Sequence, residues 1–154
     1  MTVTTLPDIV DLFMSNQQDY RLLSLYSTSG SAAFGTYVEP WLLSSVTKFK
    51  PIANQVLNYN ASNQSFDIEL NDENKLLLAQ IMVEFWLQKL VFDVTAMKNF
   101  IVDHDFSRHS EAANFKEKKD ALNMKKEEIS QLLNDYAYKN NGWKNWYNQN
   151  FDTG

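Results

Sequence analysis

The stretch Asn71 to Val102, NDENKLLLAQIMVEFWLQKLVFDVTAMKNFIV, contains neither Gly nor Pro and is apolar around most of a helical circumference. With successive residues turning by about 100°, Gln80, Glu84, Gln88, Thr95 and Lys98 fall on one narrow stripe. Leu77, Ile81, Phe85, Trp86, Leu90, Phe92, Met97 and Phe100 are among the apolar residues covering the remaining arc, which is too wide for a surface helix and demands neighbours on several sides. The pattern predicts one long central helix over about 72–102. Asn71 or Asp72 can cap its start, and Asp72 and Glu73 place negative charge at the positive end of its dipole. Lys89 and Asp93, one turn apart, read either as an intrahelical ion pair or as a polar contact to another subunit.

Working outward toward the carboxyl end, Asp103 to Ser110 (DHDFSRHS) reads as a polar hinge. His104, His109, Asp103 and Asp105 offer imidazole and carboxylate, but their spacing fits no zinc motif, so no metal is expected there. A second long helix follows over about 110–138, started by Ser107 or Ser110 as cap. Phe115, Leu122, Ile129 and Tyr136 recur every seven residues, and Leu132 and Leu133 widen the stripe. Its other faces mix Lys116, Lys118, Lys119, Lys125 and Lys126 with Glu117, Asp120, Glu127 and Glu128, as a solvated face does; lysines near DNA are the lesser alternative. A seam this narrow predicts antiparallel packing on the central helix.

Asn140, Asn141 and Gly142 end that helix, and Trp143, Trp146, Tyr147 and Phe151 follow within nine residues. Aromatics so concentrated at a chain end need cover, either from their own bundle or from a neighbouring chain. We expect the second, with 1–139 a helical bundle domain and 140–154 an aromatic-rich arm whose interface residues are Trp143, Trp146, Tyr147 and Phe151.

Toward the amino end, Phe66, Ile68 and Leu70 alternate with Asp67 and Glu69 in a period-two pattern. It reads as an extended leader into the central helix in preference to a strand pairing with another chain. Residues 55–65, rich in Asn and Ser, read as a connection. Glu39 to Phe49 reads as a short amphipathic helix with Pro40 in its first turn and Pro51 limiting its end. Ser27 to Gly35, STSGSAAFG, carries little side-chain area and reads as a mobile loop that orders on assembly or simply connects. Pro7 to Tyr26 reads as a helix, interrupted near Ser15 to Gln18.

Composition bounds the function. At 154 residues the chain is about one domain. It has no cysteine, which excludes disulfides and thiolate metal sites. A formal charge of −5, with Arg21 and Arg108 as the only arginines, argues against nucleic-acid binding as the main task. No window reaches the roughly 20 uninterrupted apolar residues of a membrane span, and the amino terminus has no signal-peptide pattern, so a soluble protein is expected. No phosphate loop, nucleophile elbow or metal-protease motif is present, so neither catalysis nor a cofactor is expected. The fold class expected is all-α: a helical bundle around the central helix, with an antiparallel partner helix and extended termini.

The run from Phe66 to Tyr136 resembles the head-to-tail connector, or adaptor, proteins of tailed bacteriophages. The resemblance lies in FDIELNDEN before a helix start, the pair Trp86 and Leu87, and the hinge Asp105, Phe106 and Ser107. Ser110, Glu111 and Ala112 and a Lys-rich helix ending in Leu-Leu and Tyr complete it. It implies a virion structural subunit forming a homo-oligomeric ring below the portal, in contact with portal and tail or neck proteins around the DNA channel. The alternative is a free helical protein-binding module, a phage or host regulator without catalytic activity.

Overall fold

The computed structural model describes residues 2–16, 20–100 and 108–142. Its order is α1 (Leu6–Ser15), α2 (Tyr20–Phe49), β1 (Tyr59–Asn60), β2 (Ser65–Phe66), α3 (Asp72–Phe100), α4 (Arg108–Ala137) and a single π-helical turn, Tyr138–Gly142. It is an all-α bundle with one two-stranded sheet.

α3 is the predicted central helix. Asn71 caps it: its side-chain oxygen accepts the Asn74 N–H at 2.8 Å and its carbonyl accepts the Lys75 N–H at 3.0 Å. Three helices cover its first half. Asp8 of α1 acts on Lys75 and Asn16 accepts from Gln80 at 2.8 Å, so α1 runs parallel to α3. Lys48 of α2 meets Glu84 and Tyr37 acts on Lys89, so α2 runs antiparallel to it. α4 is antiparallel as expected, since Lys139 meets Glu73 and Tyr136 meets Asn74. The wide apolar arc of α3 is thereby satisfied on several sides: Leu77, Leu78, Ile81, Met82 and Val83 are buried with Phe13, Phe34, Leu42, Phe49 and Ile129. One member of the polar stripe, Glu84, is covered too. Glu84 is only 4% exposed and receives the Lys48 ammonium at 2.7 and 2.8 Å, and Lys48 also lies 6.0 Å from the Phe85 ring centre. Lys89 and Asp93 form their intrahelical pair at 2.8 Å on an exposed face.

Three expectations give way. Ser27 to Gly35 is not a loop but part of α2, which bends at Gly30 (φ 77, ψ 160), a conformation that only glycine adopts freely. Small residues suit the bend because hydroxyls return to the helix backbone: Ser27 and Thr28 donate to the Ser24 carbonyl and Thr36 to that of Ala32. Phe34, fully buried, anchors the segment and takes the edge of Tyr26 at 5.2 Å. Gly35 lets Leu6 approach closely, a Cβ there lying 3.2 Å from Leu6 Cδ2.

Second, the helix holding Trp41 to Phe49 does not begin at Glu39. α2 runs through Pro40, whose missing N–H leaves the carbonyl of Thr36 without its usual donor; both residues are exposed, so water can serve. Third, the alternating segment at Phe66 finds strand partners in its own chain. Asn60 accepts the Ser62 N–H in a tight turn, Gln64 takes φ 51, and β1 pairs antiparallel with β2. The amino terminus joins from the other side: Phe66 N–H donates to the Thr4 carbonyl at 2.8 Å and Thr4 N–H to the Ile68 carbonyl at 3.2 Å. The Leu70 N–H then ends on the Thr4 hydroxyl at 2.8 Å. The residues 55–65 thus contain β1 and the turn. The break after Ser15 is real, with Thr5 and Asp8 forming a capping box at the start of α1.

Candidate docking surface

The aromatic residues singled out in the sequence, Trp143, Trp146, Tyr147 and Phe151, lie outside the described residues, as do Asp103, His104 and Asp105 of the hinge and the side chain of His109. What the structure describes is the turn Tyr138–Gly142, after which these residues follow in the sequence. The heptad residues of α4 turn inward on α3, with Leu122, Ile129 and Tyr136 buried. Tyr136 carries its hydroxyl into a polar junction beneath the α3–α4 pair. It donates to Asn74 Oδ1 at 2.8 Å and accepts the backbone N–H of Asn54 at 2.8 Å. Asn74 Nδ2 donates in turn to Asn54 Oδ1 at 3.0 Å and Gln55 Oε1 at 2.7 Å. Gln55 Oε1 also accepts the Asn71 N–H at 2.8 Å. Asn54 Nδ2 reaches Asn140 Oδ1 at 3.1 Å, tying the π turn to the bundle. Among the described residues every buried side-chain nitrogen and oxygen has a partner. Burial is the main reason the Tyr136 phenol is held above its usual pKa, with the Asn54 and Asn74 bonds acting against the rise.

Beside this junction lies a groove of about 380 Å³ between the two helices. Leu76, Leu77 and Leu132 form its floor with Tyr136, and Leu76 is 45% exposed. Glu73, Glu128 and Asp135 stand on the rim with Gln80 and Lys139. Lys139 reaches Glu73 at 3.1 Å, and Lys125 donates both to Gln80 and, at 3.2 Å, to Glu128. The surface is thus an apolar trough with ion pairs at either end. It offers shape and apolar area to a partner, the usual make-up of a docking groove.

The sequence placed Leu76 in the apolar arc and Leu132 beside the heptad seam, but it carries no sign that these two stay open while Ile129 and Tyr136 close. That depends on contacts between residues far apart in the sequence, which a local pattern does not carry. Gln55 opens the stretch read as a connection and Asn54 precedes it, and no local pattern marks either as a member of the junction at Tyr136.

Farther along the α3–α4 hairpin, exposed apolar side chains occur among the described residues. Phe92 is 63% and Met124 72% exposed, and residues 113–121 include none that is buried. No helix among the described residues is long and apolar enough to cross a membrane. Comparison with protein-family models, curated proteins and solved structures finds no match to the chain.

Proposed function

We propose that the chain is a structural subunit of a tailed-phage head-to-tail connector, a homo-oligomeric ring below the portal that links it to tail or neck proteins around the DNA channel. The observation that carries this reading is the α3–α4 hairpin. The resemblance from Phe66 to Tyr136 coincides with β2, α3 and α4, the segment that forms it. Its two helices, about 43 and 45 Å long at 1.5 Å per residue, carry Phe92 and Met124 exposed. Apolar side chains in that position are what a ring neighbour covers. The arm at 143–154, with Trp143, Trp146, Tyr147 and Phe151, adds a second contact to another protein, since buried Trp and Tyr dominate interface energetics. The role requires no reaction and no cofactor.

Mass spectrometry and electron microscopy of purified particles test the reading: the chain is expected in the neck in ring stoichiometry, and its absence from particles ends the proposal. The groove between α3 and α4 favours a second reading, a free helical protein-binding module. That module would be recovered with one soluble partner and never in particles.

A further inference from the structure

We infer that the α3–α4 groove is the seat of the chain's own carboxyl-terminal segment, residues 143–154, in the unassembled subunit. The inference rests on the reading of that segment as a docking arm and adds where the arm is kept before it meets its neighbour.

Chain geometry points there. α4 passes into the turn Tyr138–Gly142, and Lys139 of that turn already lies on the rim of the groove beside Glu73. From Lys139 back to Glu128 the groove follows about 16 Å of helix at 1.5 Å per residue. Twelve residues in extended form span up to about 40 Å, so the segment can reverse after Gly142 and lie along the full trough. The turn itself is fixed by Asn140, held by Asn54 Nδ2, so the segment starts from a defined point at the end of the groove.

Chemistry agrees with the geometry. The lining of Leu76, Leu77 and Leu132 is apolar, with Leu76 exposed, and the segment contributes Trp143, Trp146, Tyr147 and Phe151, each able to remove about 150–250 Å² from water. Lys144 supplies a cation complementary to Glu73, Glu128 and Asp135 of the groove lining. A short tether also holds the segment at an effective concentration of about millimolar, well above that of a second copy in dilute solution. Docking on a neighbour therefore exchanges one apolar seat for another, and assembly must compete with the subunit's own groove.

The absence of cysteine from the chain gives a clean test. In the full-length protein, Leu76→Cys combined with Tyr147→Cys is oxidised at low concentration. Val56→Cys with Tyr147→Cys serves as control, Val56 being 63% exposed and outside the groove. An intramolecular disulfide forming several-fold faster than in the control is the expected result. A disulfide only between copies makes a second copy the occupant and overturns the inference; equal rates in the two pairs overturn it also. As a second measure, Leu76→Cys alone should react several-fold more slowly with a bulky maleimide than the same variant carrying Trp146→Ser and Tyr147→Ser. No difference counts against the groove. These results are read on the purified chain, so they stand apart from the particle experiment: presence in virions without the disulfide removes the groove proposal alone, and the disulfide without virion incorporation removes the connector reading alone.

Discussion

Tyr136 closes three segments with one hydroxyl, giving a proton to Asn74 and taking one from the Asn54 backbone. Tyr136→Phe keeps the ring against Phe49, 5.0 Å away, but leaves the buried Asn74 amide oxygen without its donor and the part-buried Asn54 N–H without its acceptor. The expected cost is about 1–3 kcal/mol in urea unfolding; an unchanged midpoint would mean that water replaces the hydroxyl. Tyr59 makes the complementary case at the sheet. Burial first, and the hydrogen bond from its hydroxyl to Glu39 at 2.7 Å second, hold its pKa above the usual 10.0. The folded chain therefore resists an ionisation that the unfolded chain undergoes. Stability from this group is full below pH 10 and declines as pH rises beyond it. Unfolding measured from pH 9 to 11 should show a shallower decline in Tyr59→Phe than in the parent, and parallel curves would remove Tyr59 from the alkaline response. The heptad marked Tyr136 as core, but its hydroxyl's partners lie 82 and 62 residues away in sequence, beyond the reach of any local pattern.

Among elements, α2 departs furthest from its sequence. Read locally, STSGSAAFG lacks the side chains that hold a loop or a helix, and the decisive residue, Phe34, looks like any isolated aromatic until α1 and α3 surround it. Tertiary burial overrides weak helix propensity here. Gly30→Ala asks a Cβ-bearing residue to hold φ 77 and ψ 160, at a cost of about 1–3 kcal/mol. A melting temperature lower by several degrees is expected for a chain of this length; no change would show that the two halves of α2 are not set by that bend. The α2–α3 contact centres on Lys48 and Glu84, whose side chains are 32% and 5% exposed. Lys48→Met strands a buried carboxylate and should destabilise by about 3 kcal/mol, the lower end for a broken buried pair because Lys48 reaches solvent. Lys48→Met with Glu84→Leu should recover most of that loss, and failure to recover would show that packing around Glu84 outweighs its charge. By contrast α3 and α4 were legible nearly to their ends. Long periodic segments and an Asn cap are local signals, whereas the pairing of β2 with Thr4 joins residues some sixty apart.

Across the whole molecule, order is graded along the hairpin. Residues 129–136 face the core through Ile129 and Tyr136, while 113–121 contain no buried side chain. Amide exchange in the free subunit should be faster over 113–121 than over 129–136, and equal protection would show that the outer half is covered already.

The pairing of Thr4 with Phe66 and Ile68 also has a consequence for biosynthesis. The segment around Thr4 leaves the ribosome as the outer member of a sheet whose other members come some sixty residues later. The apolar face of α1, Ile9, Val10 and Phe13, is covered by a helix that reaches Val83. At 5–20 residues per second that interval is roughly 4–14 s, during which the nascent amino terminus waits with an unpaired edge and a greasy stripe. A chaperone that holds such stripes should therefore engage the first fifteen residues and let go once α3 has emerged.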